Sequence, residues 1–474
     1  MKNSFTFFLI ILGLVSCRSD VKKEENTVVT HRPNVIYILA DDLGYGDLGC
    51  YGQEKIKTPI IDEMAQNGMK FTSHYAGNTV CAPSRASLMT GLHQGHAPVR
   101  GNRNNILGAD DITLARLFKS NGYKTAMIGK WGLGEIGSSG EPNKQGFDSY
   151  FGYLNQIHAH NYYTDYLIKN GDSIPLDNII VKQTEGYAKG IGQAATIKKD
   201  YSHSMFIQEA LSFIGSDHEK PFFLYLPLTI PHANNEGHLT AEHGMEVPDL
   251  GMYENEDWPE VEKAKAAMIS LLDADVGRIL DILKSKGLDE NTLVIFTSDN
   301  GPHQEGGVNP DFFDSNGELR GIKRDLYEGG IRVPFIAQWK GKIKPNSTSD
   351  LSTAFWDIMP TFSELVGANL TGSTDGISFL PTLMGEVDSQ MEHDYLYWEF
   401  AEGDHDAQAV RSGDWKLLHI YKSDTWELYN LSTDIGENKN VIDENREIFE
   451  RLKGFMEKAH RFDADYPLQG EPNA

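Results

Sequence analysis

A cysteine followed by a proline, a serine and an arginine is the part of this 474-residue sequence best suited to chemistry. The stretch reads Cys81-Ala82-Pro83-Ser84-Arg85. Pro83 suits the first turn of a helix, where its missing N–H would have no partner, so Cys81 is predicted to lie just before a helix N-terminus. Such an end carries partial positive charge and unpaired amides, which attract anions. Because Arg85 follows Cys81 by four residues, the two side chains share one side of the first turn, and together they predict an oxyanion site.

Carboxylate and amide side chains directly follow two apolar runs that are typical of buried strands, residues 35–40 and 293–298. Open α/β sheets place their ligands at the carboxyl ends of their strands. Four oxygen ligands from two strand ends suit a hard cation, and calcium fits best. The four candidate ligands are Asp41, Asp42, Asp299 and Asn300, with Asp47 and His303 as further candidates.

The cysteine stretch resembles the signature of the type I sulfatases. Residues 87–91, Ser-Leu-Met-Thr-Gly, continue the match. Five motifs in the family's order extend the resemblance over residues 32–440. The sequence therefore resembles the arylsulfatase-like members of the alkaline phosphatase superfamily, which implies an α/β fold. The implied architecture is a large mixed, mostly parallel sheet between helices, with a small antiparallel C-terminal sheet.

The resemblance implies that Cys81 is oxidised after synthesis to formylglycine. A serine that attacked a sulfate ester would become an ordinary alkyl sulfate, which hydrolyses very slowly. A hydrated aldehyde carries two hydroxyls on one carbon. One attacks sulfur and expels the alcohol, and the other then loses its proton and ejects sulfate, which regenerates the aldehyde. Covalent catalysis of this kind divides one difficult step into two easier ones.

The same resemblance implies roles for further residues. A formylglycine oxygen at Cys81 would join the four metal ligands. Lys130 would hold the sulfate, and His232 would protonate the leaving alcohol or bind sulfate. Lys323 would contact the sulfate, with Arg324 as a lesser alternative. Arg85 and these cations would offset the three buried carboxylates and stabilise charge that develops on the sulfate oxygens.

Gly132 departs from the family pattern, which more often has histidine two residues after the lysine. The stretch 156–163 is rich in candidates, and His160 is chosen as a substitute or a substrate contact, although these residues could simply line a loop. Residues 403–405 fall between two predicted strands, so His405 could reach the sugar, although these residues could instead form an exposed loop. His303 is a further candidate for substrate binding.

Composition excludes nucleic acid as a partner. The chain has 43 basic and 68 acidic side chains, a net charge of −25 and no basic block. An anionic substrate would gain nothing from overall steering, so its attraction must come from a local basic pocket.

The N-terminus indicates export. An apolar run over residues 5–15 follows Lys2 and is too short to span a bilayer, which is the layout of a signal peptide. Residues 14–17 resemble a bacterial lipobox, which implies a signal peptide at 1–17 that ends at a lipidated Cys17, with a plain signal peptide as the alternative. Residues 18–31 suit a polar tether. The expected location is the outer membrane or cell surface through the lipid anchor, or otherwise the periplasm.

With Cys17 and Cys81 modified, Cys50 has no disulfide partner.

Two regions are predicted beyond the tether: a catalytic domain at 32–380 and a C-terminal subdomain at 381–474. Further strands are expected at 123–128, 221–228 and 333–338, and a long helix at 261–285. The C-terminal region shows four short strand patterns, at 395–400, 408–411, 415–420 and 427–431, and a final helix at 448–459.

These patterns predict an exported sulfatase that acts on sulfated glycans, in particular galactose or N-acetylgalactosamine sulfates. Its partners would be a sulfated sugar or polysaccharide and a formylglycine-generating or anaerobic sulfatase-maturating enzyme. Two alternatives stay open. A phosphonate monoester or phosphodiester hydrolase can use similar machinery, and Gly132 leaves room for an inactive glycan-binding lipoprotein.

Overall fold

A large central sheet, helices and a small C-terminal sheet make up the fold in this computed structural model, which describes residues 32–472 except 104, 241 and 371, together with Met1. The predicted signal peptide, the lipidation site Cys17 and the tether 18–31 lie outside the described residues. Among the described helices, none combines the length and apolar composition that a membrane span requires.

Short strands and helices of very different lengths make up the regular structure of the described residues. The strands are β1 Asn34–Ala40, β2 Met69–Phe71, β3 His74–Tyr75, β4 Lys124–Lys130, β5 Ser149–Tyr153, β6 Tyr166–Lys169, β7 Asp172–Pro175, β8 Ile179–Lys182, β9 Gln193–Ile197, β10 Phe222–Pro227, β11 Thr292–Ser298, β12 Phe335–Gln338, β13 Ser347–Ser349, β14 Thr353–Ala354, β15 Leu396–Phe400, β16 Ala407–Ser412, β17 Trp415–Ile420 and β18 Thr425–Asn430. The α-helices are α1 Pro59–Gln66, α2 Cys81–Thr90, α3 Leu114–Ser120, α4 Ser202–Gly215, α5 Glu260–Ser285, α6 Glu328–Ile331, α7 Ile358–Val366, α8 Leu380–Met384 and α9 Arg446–Ala459.

A ten-stranded sheet forms the centre, in the order β13-β2-β12-β11-β1-β10-β4-β5-β6-β7. The run β11-β1-β10-β4-β5 is parallel, and β12 and β6 join it antiparallel on either side. Parallel neighbours end at the same edge of a sheet, where open α/β folds place their sites. The residues that follow β1, β10 and β11, and the last residue of β4, therefore meet at one edge.

Strand β1 shows why this sheet is covered on both faces. All seven of its residues are buried. Because successive side chains of a strand point to opposite faces, Ile36 and Ile38 pack in one apolar cluster with residues of α1, α4 and α5. Val35 and Tyr37 pack in a second cluster with residues of α2, α3 and α7. This arrangement confirms the predicted alkaline phosphatase-like sandwich.

The C-terminal region forms the predicted small antiparallel sheet, in the order β15-β16-β17-β18. Helix α9 covers one face of this sheet through Phe449, Leu452 and Met456. The boundary at 380/381 stays a prediction, because the chain from Arg32 onward forms one compact unit.

Glu399 of β15 connects this sheet to the chain that follows α2. Its carboxylate lies 2.8 Å from Nη1 of Arg100 and 2.6 Å from Nδ1 of His460. The other ring nitrogen of His460 lies 2.8 Å from the carboxylate of Glu471. The hydrogen bond with Glu399 raises the pKa of His460 to about 9.

Replacement of His460 by alanine tests this junction. The folded-state pKa lies above the ordinary value of about 6.5, so the charged ring's contribution to the free energy of unfolding is complete below about pH 6.5 and disappears as the pH rises through about 9. We expect His460→Ala to lower Tm most at pH 6 and hardly at all above pH ~9.5, measured by scanning fluorimetry. Lys422→Ala, which removes an exposed pair with Asp404, is the control and should cause only a small, even change from about pH 6 to 9. A decrease in Tm for His460→Ala that is equally large at high pH would contradict a stabilising charge on His460.

Candidate active site

Four strand ends bring most of the predicted site residues together in a buried cluster. Asp41 and Asp42 follow β1, and Asp299 and Asn300 follow β11, its parallel neighbour. The backbone N–H of Asp42 donates to Oδ1 of Asp299 at 3.1 Å, and Nδ2 of Asn300 donates to Oδ1 of Asp42 at 2.7 Å. Asp42 has a φ of 63°, a left-handed conformation that is uncommon outside glycine and often marks a functional site.

Cys81 is the first residue of α2, and Val80 is the N-cap, so the cysteine lies within the helix and not just before it. Its Sγ lies 3.2 Å from Oδ1 of Asp41. Burial, and then the carboxylate of Asp41, raise the pKa of the thiol well above its ordinary value. The thiol therefore stays protonated at neutral pH, which argues against an unmodified thiolate nucleophile.

The guanidinium of Arg85 joins two of the strand ends. It is fully buried. Its Nε and Nη2 donate to Oδ2 of Asp299 at 3.0 and 2.8 Å, and its Nη1 donates to the backbone oxygen of Lys130 at 2.6 Å. Hydrogen bonds between arginine and carboxylate are among the strongest in proteins, so Arg85 orients Asp299 as well as adding positive charge.

Two lysines neutralise the paired aspartates. Nζ of Lys130 lies 2.7 Å from Oδ2 of Asp41. Nζ of Lys323 lies 2.8 Å from Oδ2 of Asp42. Burial tends to raise the pKa of Asp41, but Lys130 and Arg85 beside it hold that pKa well below its usual range. Both aspartates are therefore charged at neutral pH.

The cluster fits a hard cation. Oδ1 of Asn300 is buried and has no hydrogen-bond partner among the described residues. Burial, and then the neighbouring Asp41, raise the pKa of Asp299 to about 7, so the charged form of this carboxyl is only partly compensated by Arg85. Ligand atoms of Asp41, Asp42, Cys81 and His232 lie within 4.8 Å of one another. A free oxygen and closely spaced carboxylates are what a divalent cation would satisfy.

Three histidine rings stack along one side of this cluster. The ring centroids of His160 and His232 are 5.0 Å apart, and those of His232 and His303 are 5.9 Å apart. Nδ1 of His232 lies 2.6 Å from the oxygen of Ala233, and its Nε2 lies 3.1 Å from Nζ of Lys323. Burial and Lys323 lower the pKa of His232 to about 3, so this ring is neutral, with Nε2 as an acceptor.

His160 and His303 thus lie beside the cluster, as predicted from the sequence. The ring of His160 is held by Glu236, with 3.0 Å between Nδ1 and Oε2. His405, in contrast, lies on an exposed turn between β15 and β16, and its substrate contact stays a prediction. Asp47 faces away, since its carboxylate accepts from the N–H of Gly44 at 2.8 Å and lies 3.4 Å from Nζ of Lys265.

A side chain at Gly132 would require the side chain of Gln156 to move. Its φ is +75°, and a Cβ there would lie 2.3 Å from Nε2 of Gln156. That Nε2 is buried and unpaired in the part of the chain that the structure describes. Gln156, and not His160, therefore occupies the space beside position 132.

Sequence reasoning missed two acidic residues. Oε2 of Glu305 lies 3.1 Å from Nζ of Lys323, and Oε1 lies 2.7 Å from Nη1 of Arg324. Glu236 supports His160. Each follows a predicted strand-end motif by only a few residues, and that placement is the signal that would have found them.

Comparison with known proteins agrees with this geometry. The Sulfatase family model matches residues 33–368, and the model for the C-terminal region of N-sulphoglucosamine sulphohydrolase matches residues 320–461. The chain is 30% identical to an N-acetylgalactosamine-6-O-sulfatase of Bacteroides thetaiotaomicron, over 96% of this chain and 99% of the relative. It is 31% identical to arylsulfatase A of Homo sapiens, over 87% of this chain and 84% of the relative.

A solved structure extends the comparison to the fold. Ps i-CgsB, in complex with k-i-k-neocarrahexaose, superposes with a TM-score of 0.74 at 26% identity, over 90% of this chain and 92% of that chain. The family model covers most of the chain and spans the buried cluster around Cys81. The chain therefore belongs to the sulfatase family of sulfuric ester hydrolases.

Proposed function

We propose that this sulfatase removes sulfate from galactose or N-acetylgalactosamine residues of sulfated glycans. The observation that carries the proposal is the buried group of three cations, Arg85, Lys130 and Lys323, set against the carboxylates around Cys81. Such a group suits a sulfate ester, because a cation bound by the carboxylates would free the lysines to pair with the sulfate oxygens, and an apolar or cationic substrate would leave them unpaired in that state. The similarity to an N-acetylgalactosamine-6-O-sulfatase supports the sugar class.

The reactive group in this proposal is a formylglycine made from Cys81. As a hydrated aldehyde it would supply a hydroxyl to attack sulfur and a second hydroxyl whose deprotonation releases sulfate. A calcium ion held by Asp41, Asp42, Asp299 and Asn300 would supply positive charge for the sulfate oxygens. Lys130 and Lys323 orient the sulfate and stabilise the charge that develops on it. Arg85 keeps Asp299 in place and adds to that field.

His232 and Lys323 form a hydrogen-bonded pair at the proposed sulfate site. Nδ1 of His232 is held by the oxygen of Ala233, and its Nε2 accepts from Lys323. The neutral ring lacks a proton on Nε2. Although burial acts against it, Asp42 and Glu305 hold the pKa of Lys323 well above its ordinary value, so the ammonium keeps its proton and donates a hydrogen bond to Nε2. In this arrangement His232 orients Lys323 toward the sulfate, and it would act as general acid only after Nε2 takes a proton from solvent.

We further propose that the protein is exported and anchored through a lipid on Cys17, at the outer membrane or cell surface or otherwise facing the periplasm. The support is the arrangement of residues 1–31 in the sequence. A formylglycine-generating or anaerobic sulfatase-maturating enzyme would act on Cys81 before folding closes the site, since Cys81 is only 3% exposed. Labelling with a radioactive fatty acid, and its loss in Cys17→Ser, tests the anchor.

Sulfate release from a substrate panel tests the function. We expect matured protein with calcium to release sulfate from one of the 2-, 3-, 4- or 6-sulfated forms of galactose or N-acetylgalactosamine, measured by ion chromatography. Cys81→Ala should lower this rate by about 10⁴-fold or more, because it removes the nucleophile. The control is Cys50→Ala, which lies outside the cluster and should keep full activity. Turnover of phosphonate monoesters or phosphodiesters in place of every sulfate ester would refute the proposal.

Metal removal gives a second prediction. Chelation should lower both Tm and activity, and calcium should restore both, because a ligand that binds only the folded state stabilises it by mass action. Magnesium should be less effective, since it demands near-ideal octahedral geometry. Asn300→Ala should weaken calcium binding by about tenfold, measured as the calcium concentration that raises Tm by half its maximum. Asn121→Ala, at the end of α3, should leave this concentration unchanged. An identical calcium response in both variants would exclude Asn300 as a ligand.

His160 supplies a specificity prediction. It lies beside His232 but outside the carboxylate cluster, so it is placed to contact the sugar rather than the sulfate. We expect His160→Ala to raise KM for the sugar sulfate about tenfold and to change kcat/KM for 4-nitrophenyl sulfate less than about twofold. His158→Ala is the matched control from the same turn, because its Nε2 is bonded to Thr164. Equal losses on both substrates would place His160 in sulfate binding instead.

A further inference from the structure

A buried ion cluster joins the C-terminal sheet to the segment that carries Lys323. Nζ of Lys416, on β17, lies 3.0 Å from Oε1 of Glu328 and 3.0 Å from Oε1 of Glu437. All three side chains are 0% exposed. Buried charges of this kind are stable only when each is paired, so the position of each carboxylate is tied to Lys416.

Both ends of segment 320–329 attach to this cluster. At its C-terminal end, the backbone N–H of Glu328 donates to Oε2 of Glu437 at 2.7 Å. At its N-terminal end, Nη1 of Arg320 donates to the backbone oxygen of Glu437 at 2.7 Å. The N–H of Gly329 donates to the oxygen of Arg320 at 2.7 Å and closes the segment into a loop. Lys323 lies within that loop.

The opposite side of the loop touches the active site. The N–H of Lys323 donates to the oxygen of Pro302, in the loop that follows Asp299 and Asn300, at 2.9 Å. The N–H of Arg324 donates to the oxygen of Thr79, two residues before Cys81, at 3.1 Å. The segment is thus held between the reacting end of α2, the loop after β11 and the ion cluster of the C-terminal sheet.

We propose that Lys416 and Glu437 are positioning residues for sulfate ester hydrolysis, because they hold segment 320–329 so that Lys323 reaches the sulfate. The inference rests on the proposed function, in which Lys323 contacts the sulfate group. A long lysine side chain is placed by its backbone, and a displacement of about 1 Å away from the chemistry can cost a factor of about 100 in rate. The C-terminal sheet is in this way part of the catalytic architecture.

The test is the double variant Lys416→Met/Glu437→Gln. It removes the ammonium of Lys416 and the carboxyl of Glu437 together. Glu328 keeps its contacts with the hydroxyl of Tyr75 at 2.6 Å and Nη1 of Arg332 at 3.2 Å, so its buried charge is not left alone. We expect kcat/KM for the sugar sulfate to fall about tenfold and Ki for inorganic sulfate to rise by about the same factor. Glu437→Gln alone keeps an acceptor for the N–H of Glu328 and should move both quantities in the same direction by less.

Leu452→Ala separates positioning from stability. Leu452 is fully buried between α9 and the same sheet and lies outside the ion cluster, so its truncation should lower Tm and leave KM and Ki unchanged. A double variant that lowers Tm but matches Leu452→Ala in KM and Ki, below the melting temperature of both, would overturn the inference. If wild-type protein releases no sulfate from any sugar sulfate, the proposed function fails instead. The affinity for inorganic sulfate, measured by calorimetry, still tests the positioning in that case.

Discussion

The concentration of carboxylates at the carboxyl edge of the parallel sheet is the constraint on which the rest of the structure depends. Asp41, Asp42 and Asp299 are all 0% exposed, and the penalty for burying an unpaired ion is several kcal/mol. Each is met by a cation from a different part of the chain. Arg85 comes from α2, Lys130 from β4 and Lys323 from the loop before α6. The buried carboxylates are therefore paired only when these three distant segments have folded together.

The same pairing explains how the pocket can accept its ligands. The ammonium groups of Lys130 and Lys323 lie on Asp41 and Asp42, the groups that would hold a cation. A divalent cation and inorganic sulfate, the product, carry equal and opposite charge, and a sulfate ester offsets half of the cation's charge. Entry of both lets the aspartates turn to the cation and the lysines to the anion, with little change in the net buried charge. Binding of either alone leaves an uncompensated charge in the pocket, so the two are expected to bind cooperatively.

Much of this site could be predicted from the sequence, because it depends on local patterns. The runs before Asp41 and Asp299 show buried strands, and strand ends in parallel sheets converge. The roles of Glu236, Glu305 and Lys416 could not be predicted from the sequence, for a physical reason. Each is ordinary in its own sequence context and gains its role only from a partner brought close by the fold, such as Glu328, which is 88 residues from Lys416. The position of Gln156 beside Gly132 likewise can be recognised only from the structure.

Because position 132 is glycine and not histidine, this enzyme has no titratable side chain at that point of the pocket. An imidazole at this position would need a backbone conformation that residues with side chains rarely adopt, and it would displace the carboxamide of Gln156. A carboxamide donates and accepts hydrogen bonds but does not titrate in the physiological range, so Gln156 can orient an oxygen without moving a proton. Lys323 and His232, in contact at 3.1 Å, then supply the hydrogen-bond donor and acceptor of the proposed sulfate site, with Lys323 charged and His232 neutral. That assignment makes the position of Lys323, and the buried ion cluster that holds its loop, more important in this protein than in a site with a histidine at position 132.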